Sequence, residues 1–166
     1  MIGRRLAATA LAIVAVTGCA TDDPPRVTEL TVQAAWARPT PAGATNGVVY
    51  LTVTSPTDDS IVGVTVPPSV AAGAELHETM GDGGESPMPN MPDMTTAGGE
   101  MTMTPLASVA LPAGRAIAFE PGGKHIMLTD LVGQLLVGER FTLTLAFEEG
   151  ASREVEVTVA NGPPAD

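Results

Sequence analysis

The sequence predicts an all-β domain, an antiparallel β-sandwich of eight or nine short strands. Three observations predict it. Aliphatic and β-branched residues recur at every second position in short runs, the period of a half-buried strand. The runs are punctuated by turn formers, with 18 Gly and 15 Pro in 166 residues. No stretch of the mature domain carries a convincing long helical period, and short strands separated by turns favour a two-layer β architecture.

The elements follow in chain order. TELTVQAAWAR, residues 28–38, combines β-branched residues with Trp36. GVVYLTVTS, 47–55, follows a Pro/Gly-rich loop, and SIVGVTV, 60–66, stops at Pro67 and Pro68. AELHETM, 74–80, carries the first histidine. SVALPA (108–113), AIAFEP (116–121) and KHIMLTDL (124–131) are the next candidates. The clearest pair comes last. Phe141, Leu143, Leu145 and Phe147 alternate, Glu148-Glu149-Gly150 turns the chain, and Val155, Val157 and Val159 alternate again. Residues 161–166, NGPPAD, are a tail. The segment 80–100, MGDGGESPMPNMPDMTTAGGE, shows no alternation and reads as a loop, with an insertion at about 81–100.

The N-terminus reads as a targeting segment. Arg4 and Arg5 precede the apolar run LAATALAIVAV, residues 6–16, which is too short to span a bilayer comfortably and fits a secretory signal. It ends at VTGC, which resembles a bacterial lipobox; that resemblance implies acylation of Cys19 and removal of residues 1–18. Residues 19–29, with two prolines in TDDPPRVTE, then form a flexible tether, and 30–160 form the domain. The expected location is extracytoplasmic, at the bacterial cell membrane through the lipid. Cys19 is the sole cysteine, so no disulfide forms within the chain.

Formal charge is −11; without Arg4 and Arg5 it is −13, with 6 basic against 19 acidic residues. Such a surface repels phosphate backbones and anionic lipid, which argues against nucleic-acid partners.

The chemistry-bearing residues are clustered. Beyond the initiator, seven methionines lie between residues 80 and 127: Met80, Met88, Met91, Met94, Met101, Met103 and Met127. Both histidines, His77 and His125, lie in or beside that window. Methionines serving as core filler would be scattered among all strands. Thioether sulfur is soft and suits Cu(I), and imidazole also binds copper. In a strand, residues i and i+2 share a face, so His125 and Met127 can present donors to one ion while Ile126 and Leu128 point into the core. The same parity relates Met101 to Met103.

Met103 and His125 are separated by 21 residues, and one residue separates His125 from Met127. This M-x21-H-x-M spacing, with an upstream histidine, resembles the periplasmic copper chaperone family called PCuAC. The flanking text is similar to that family too: AWARPTPAGATNGVVYLTV, AELHETM, MTMTPL, PAGRAIAFEPGGKHIMLTDL and LTLAFEEG. The resemblance covers residues 32 to about 160. It implies a cupredoxin-like, immunoglobulin-like antiparallel β-sandwich, with Cu(I) carried outside the cytoplasm by His77, Met103, His125 and Met127. It also implies transfer to an acceptor, a Sco-type chaperone or cytochrome c oxidase subunit II, in assembly of the oxidase copper site. The chain departs from the motif in one place. His77 and Met103 are separated by 25 residues where the family has ten. Loop insertions cost little closure entropy, and the 21-residue spacing favours Met103 over Met101.

The insertion places Met88, Met91 and Met94 three apart among Pro87, Pro89 and Pro92. In a polyproline II helix their sulfurs would share one edge about 9 Å apart. They, with Met80 and Met101, are candidate accessory ligands.

Competing functions fare differently. A blue-copper carrier needs a cysteine thiolate beside two histidines, and Cys19 is assigned to the lipid. Structural zinc prefers Cys, His or carboxylate donors. No nucleophile motif marks an enzyme, and none is expected. Two alternatives stand: a copper buffering or resistance lipoprotein, and a scaffold or adhesion lipoprotein with a degenerate metal site.

Overall fold

In a computed structural model of the chain, residues 27–80 and 102–164 are described. They form ten strands and, among the described residues, no helix. The strands are β1 (Thr31–Ala37), β2 (Asn46–Thr54), β3 (Asp59–Thr65), β4 (Ala71–Met80), β5 (Thr102–Pro105), β6 (Val109–Leu111), β7 (Ala116–Phe119), β8 (Lys124–Leu131), β9 (Arg140–Phe147) and β10 (Ser152–Val159).

The hydrogen-bonded order is β5-β4-β8-β2-β1-β10-β9-β3-β6, with β7 also on β2. This long sheet curls until β3 and β4 contact one another, closing a two-layered core. The expected all-β class is present. Among the described ladders, β1–β10 is parallel and the others are antiparallel. That parallel pair departs from the expected antiparallel pairing. Alternation encodes which face a residue takes but not strand direction, and the whole intervening domain serves as the crossover a parallel pair needs.

Burial follows the alternation. Leu143, Leu145 and Phe147 of β9 meet Val155, Val157 and Val159 of β10, all buried, with Leu51, Val53, Ile61 and Leu111 behind them. Each such aliphatic or aromatic side chain contributes about 1.5–3 kcal/mol on burial. Trp36 and Tyr50 pack with ring centroids 4.9 Å apart.

β5 is the element that the alternation does not predict. All four of its residues are exposed, so the strand has no apolar face to signal. It forms because β4 offers a free edge: Glu78 pairs with Thr104, and Thr79 with Met103.

Strands β7 and β8 both run antiparallel to β2, β7 along Leu51–Thr54 and β8 along Asn46–Val49. They are successive halves of one interrupted strand, and residues 120–123 are the interruption. Gly122 has φ +84°, a conformation that costs a side-chain-bearing residue about 1–2 kcal/mol. Its turn is closed by the Gly123 N–H donating to the Glu120 carbonyl at 3.0 Å and the Glu120 N–H donating to the Lys124 carbonyl at 2.8 Å. The turn sets where the second half begins, at Lys124, one residue before His125.

Candidate metal centre

Four adjacent strands, β5-β4-β8-β2, carry the site. On the β4–β8 ladder His77 lies directly opposite His125, and Glu75 opposite Met127. Directly opposed residues share a face, so these four project together. The alternate residues Leu76, Ile126 and Leu128 face the other way and are buried in the core. On β5, Met103 pairs with Thr79, which has the parity of His77 and shares its face. On β2, Val48 lies opposite Met127.

The segment after β1 closes over this face. The Thr40 N–H donates to the Leu135 carbonyl at 3.1 Å, and the Leu135 N–H donates to Thr40 Oγ1 at 2.9 Å. Pro39 and Pro41 are thereby fixed as one wall of an open cleft of about 390 Å³. Met103, His125 and Met127 line it together with Arg38, Asn46 and Val48. His77 is not in that wall; its ring lies beside the ring of His125, with centroids 5.8 Å apart. Met103 is 57% exposed, whereas His77 and His125 are 9% and 3% exposed. The His125 imidazole lines the cleft with the His77 ring buried beside it, and the Met103 thioether stands exposed.

Each imidazole has one nitrogen anchored and one free. His125 Nδ1 lies 3.1 Å from the Gly123 carbonyl. A carbonyl only accepts, so Nδ1 carries the hydrogen and Nε2 keeps its lone pair. His77 Nε2 lies 3.1 Å from Glu75 Oε2, and the same logic leaves the lone pair on Nδ1. The two remaining nitrogens, His77 Nδ1 and His125 Nε2, are buried without a hydrogen-bond partner among the described residues. An unsatisfied buried polar atom costs about 1–3 kcal/mol. Two of them on opposed residues of one ladder are what a pair of metal-ligating imidazoles presents, each held through its other ring nitrogen.

The groups that share their face are the thioethers of Met103 and Met127 and the carboxylate of Glu75. Among the described residues no group of three His, Cys, Asp or Glu side chains is placed to hold a metal ion. On the opposite face Lys124 Nζ pairs with Glu78 Oε1 at 2.6 Å, both half-buried, whereas the Arg38 side chain lines the cleft itself.

Of the other residues singled out in the sequence, Met80 ends β4 opposite Thr102 and its side chain lies outside the description. Met88, Met91, Met94, Met101 and Cys19 lie outside the described residues. Three features of the site were not anticipated: Glu75, the Gly123 carbonyl, and the proline wall. Glu75 was findable, because it stands two residues before His77 and so shares its face.

Comparison with known proteins places this geometry. The family described as "Putative lipoprotein LpqE-like" matches residues 30–93 and 90–159, nearly the whole described domain. The chain belongs to the LpqE-like family. A relative in this chain's company is a Leifsonia xyli protein named "Putative lipoprotein", 29% identical over 94% of this chain and 90% of its own. Among solved structures, the apo form of DR1885 from Deinococcus radiodurans is 25% identical, with a TM-score of 0.55 over 98% of this chain and 97% of that one. A copper-bound PCuAC domain from PmoF2 is 19% identical, with a TM-score of 0.58 over 82% of this chain and 96% of that one. The fold is therefore that of PCuAC domains, a cupredoxin-like β architecture.

Proposed function

We propose that this protein is an extracytoplasmic copper chaperone, tethered to the membrane through Cys19, that binds Cu(I) and hands it to an acceptor. The observation that carries the reading is the pair of buried, unpartnered nitrogens, His77 Nδ1 and His125 Nε2, beside Met103 and Met127. Two neutral imidazoles and two thioethers form a donor set suited to soft Cu(I) and ill suited to calcium or magnesium. A structure of the same fold is described as copper-bound, and the family and the Leifsonia relative are described as lipoproteins, which supports the tether.

The arrangement suits a carrier more than a storage site or an enzyme. All four donors are neutral, so the ion's charge is compensated weakly and retention is moderate. Met103, exposed at the cleft mouth, is the donor an incoming ligand displaces first. His77 and His125, both buried, release last. An acceptor bearing thiolates then takes Cu(I) by stepwise exchange. A Sco-type chaperone or cytochrome c oxidase subunit II fits that role. Met80, Met88, Met91, Met94 and Met101 would act as accessory donors that gather copper for the site.

The test is a transfer experiment. Protein loaded with one equivalent of Cu(I) is mixed with a dithiol-bearing acceptor domain, separated from it, and both are assayed for metal. Copper is expected on the acceptor, and Met103→Ala is expected to release it several-fold faster. Copper that stays on the donor under excess acceptor would point to the buffering or resistance role.

A further inference from the structure

We infer that Glu75 is a positioning residue of the metal centre, which fixes the His77 ring so that Nδ1, and not Nε2, meets the ion. The inference rests on the copper reading above and deepens it.

The two imidazoles of the site are anchored by unlike partners. His125 is held by a backbone carbonyl, which no substitution removes and which also accepts from the Thr79 N–H at 3.0 Å. His77 is held by a side chain, at 3.1 Å from Glu75 Oε2. That carboxylate has no need of the contact for its own sake. Its side chain is 58% exposed, against 11% for the ring it touches, so water would satisfy it equally well. The ring is the group that benefits. A nearly buried imidazole with neither nitrogen bonded is free to turn about its side-chain bonds. With Nε2–H donated to Glu75, the turn is locked and the Nδ1 lone pair is left facing the buried space beside His125.

Strand geometry explains why this residue can do it. Glu75 precedes His77 by two and shares its face, and across the ladder it lies opposite Met127. It thus stands between a candidate ligand on its own strand and one on the next. A carboxylate holding the outer nitrogen of a ligating histidine fixes the tautomer and makes the inner nitrogen more basic, and losing such a partner typically costs about 10–100-fold in metal affinity.

The experiment compares the wild type, Glu75→Gln and Glu75→Ala. In metal-free protein at about pH 8, above the ordinary imidazole range, proton–nitrogen NMR should show a His77 Nε2–H resonance protected from exchange. That signal should persist in Glu75→Gln, whose amide oxygen still accepts, and vanish in Glu75→Ala. The His125 Nδ1–H signal should be unchanged in all three. In Cu(I) competition, Glu75→Ala should bind about 10–100-fold more weakly, with Glu75→Gln recovering most of the loss. An exchange-protected His77 signal that survives in Glu75→Ala overturns the inference. So does equal Cu(I) affinity in Glu75→Ala and wild type, which leaves the carrier reading intact. Failure of the wild type itself to bind Cu(I) sinks the carrier reading, and the imidazole proton then decides alone whether Glu75 holds the ring.

Discussion

His125→Leu is expected to abolish Cu(I) retention and at the same time to raise the stability of the metal-free protein by about 1 kcal/mol. The two effects have one cause. His125 is 3% exposed and its Nε2 has no hydrogen-bond partner among the described residues, so the metal-free fold carries a desolvated lone pair. Leucine fills the space without that atom. The hydrogen bond lost with Nδ1 leaves nothing stranded, because the Gly123 carbonyl keeps the Thr79 N–H. A residue selected for packing would behave in the opposite way, since truncating or reshaping a satisfied buried side chain destabilises. Thermal or denaturant unfolding of the apo variant reads one effect and copper titration the other. Loss of stability in His125→Leu would mean that the histidine is structural.

Ile126→Ala, one position along, is expected to do the reverse. Ile126 is fully buried among Leu76, Leu128 and Val49, and cutting a buried isoleucine to alanine typically costs about 2–5 kcal/mol. Its side chain is on the face away from the cleft, so the donor atoms remain and the folded variant should still bind one equivalent of Cu(I). Met127→Ala, on the cleft face and half-buried, should lose little stability and much of the copper affinity. Three consecutive substitutions thus report alternately on site, core and site. Denaturant midpoints alongside copper affinity would reveal the alternation, and a shared dependence of all three would contradict the strand parity on which the site is built.

That parity is the part of the structure most legible in the sequence. Alternation placed Ile126 and Leu128 inward and His125 and Met127 together on the other side, which is how they lie in the structure. The strands β9 and β10 were equally plain, because Leu143, Leu145, Val155 and Val157 repeat at every second position over a full strand length. β5 was not legible: its four residues are all exposed, and a strand recruited by a neighbour's open edge leaves no hydrophobic trace. The parallel β1–β10 ladder was hidden for a related reason, since the pattern of a strand says nothing about its direction. Within the site, the opposition of His77 and His125 is a matter of register between strands far apart in the chain, and no local pattern encodes it. The resemblance to the copper-chaperone motif stood in for that missing register. What it did not carry was the second layer of the site, where Glu75 and the Gly123 carbonyl decide which nitrogen of each ring is free.

The central claim is that this face of the sheet binds a single Cu(I) ion, and a Cu(I) competition titration against a chromophoric chelator tests it most directly. The protein would begin after Cys19 and be compared with the double substitution His125→Ala, Met127→Ala and with a deletion of residues 86–98. The account predicts one tight equivalent in the wild type, its loss in the double variant, and its retention in the deletion. No binding by the wild type above the weak background of its acidic surface would contradict the account, and would leave a lipoprotein scaffold that shares only the fold.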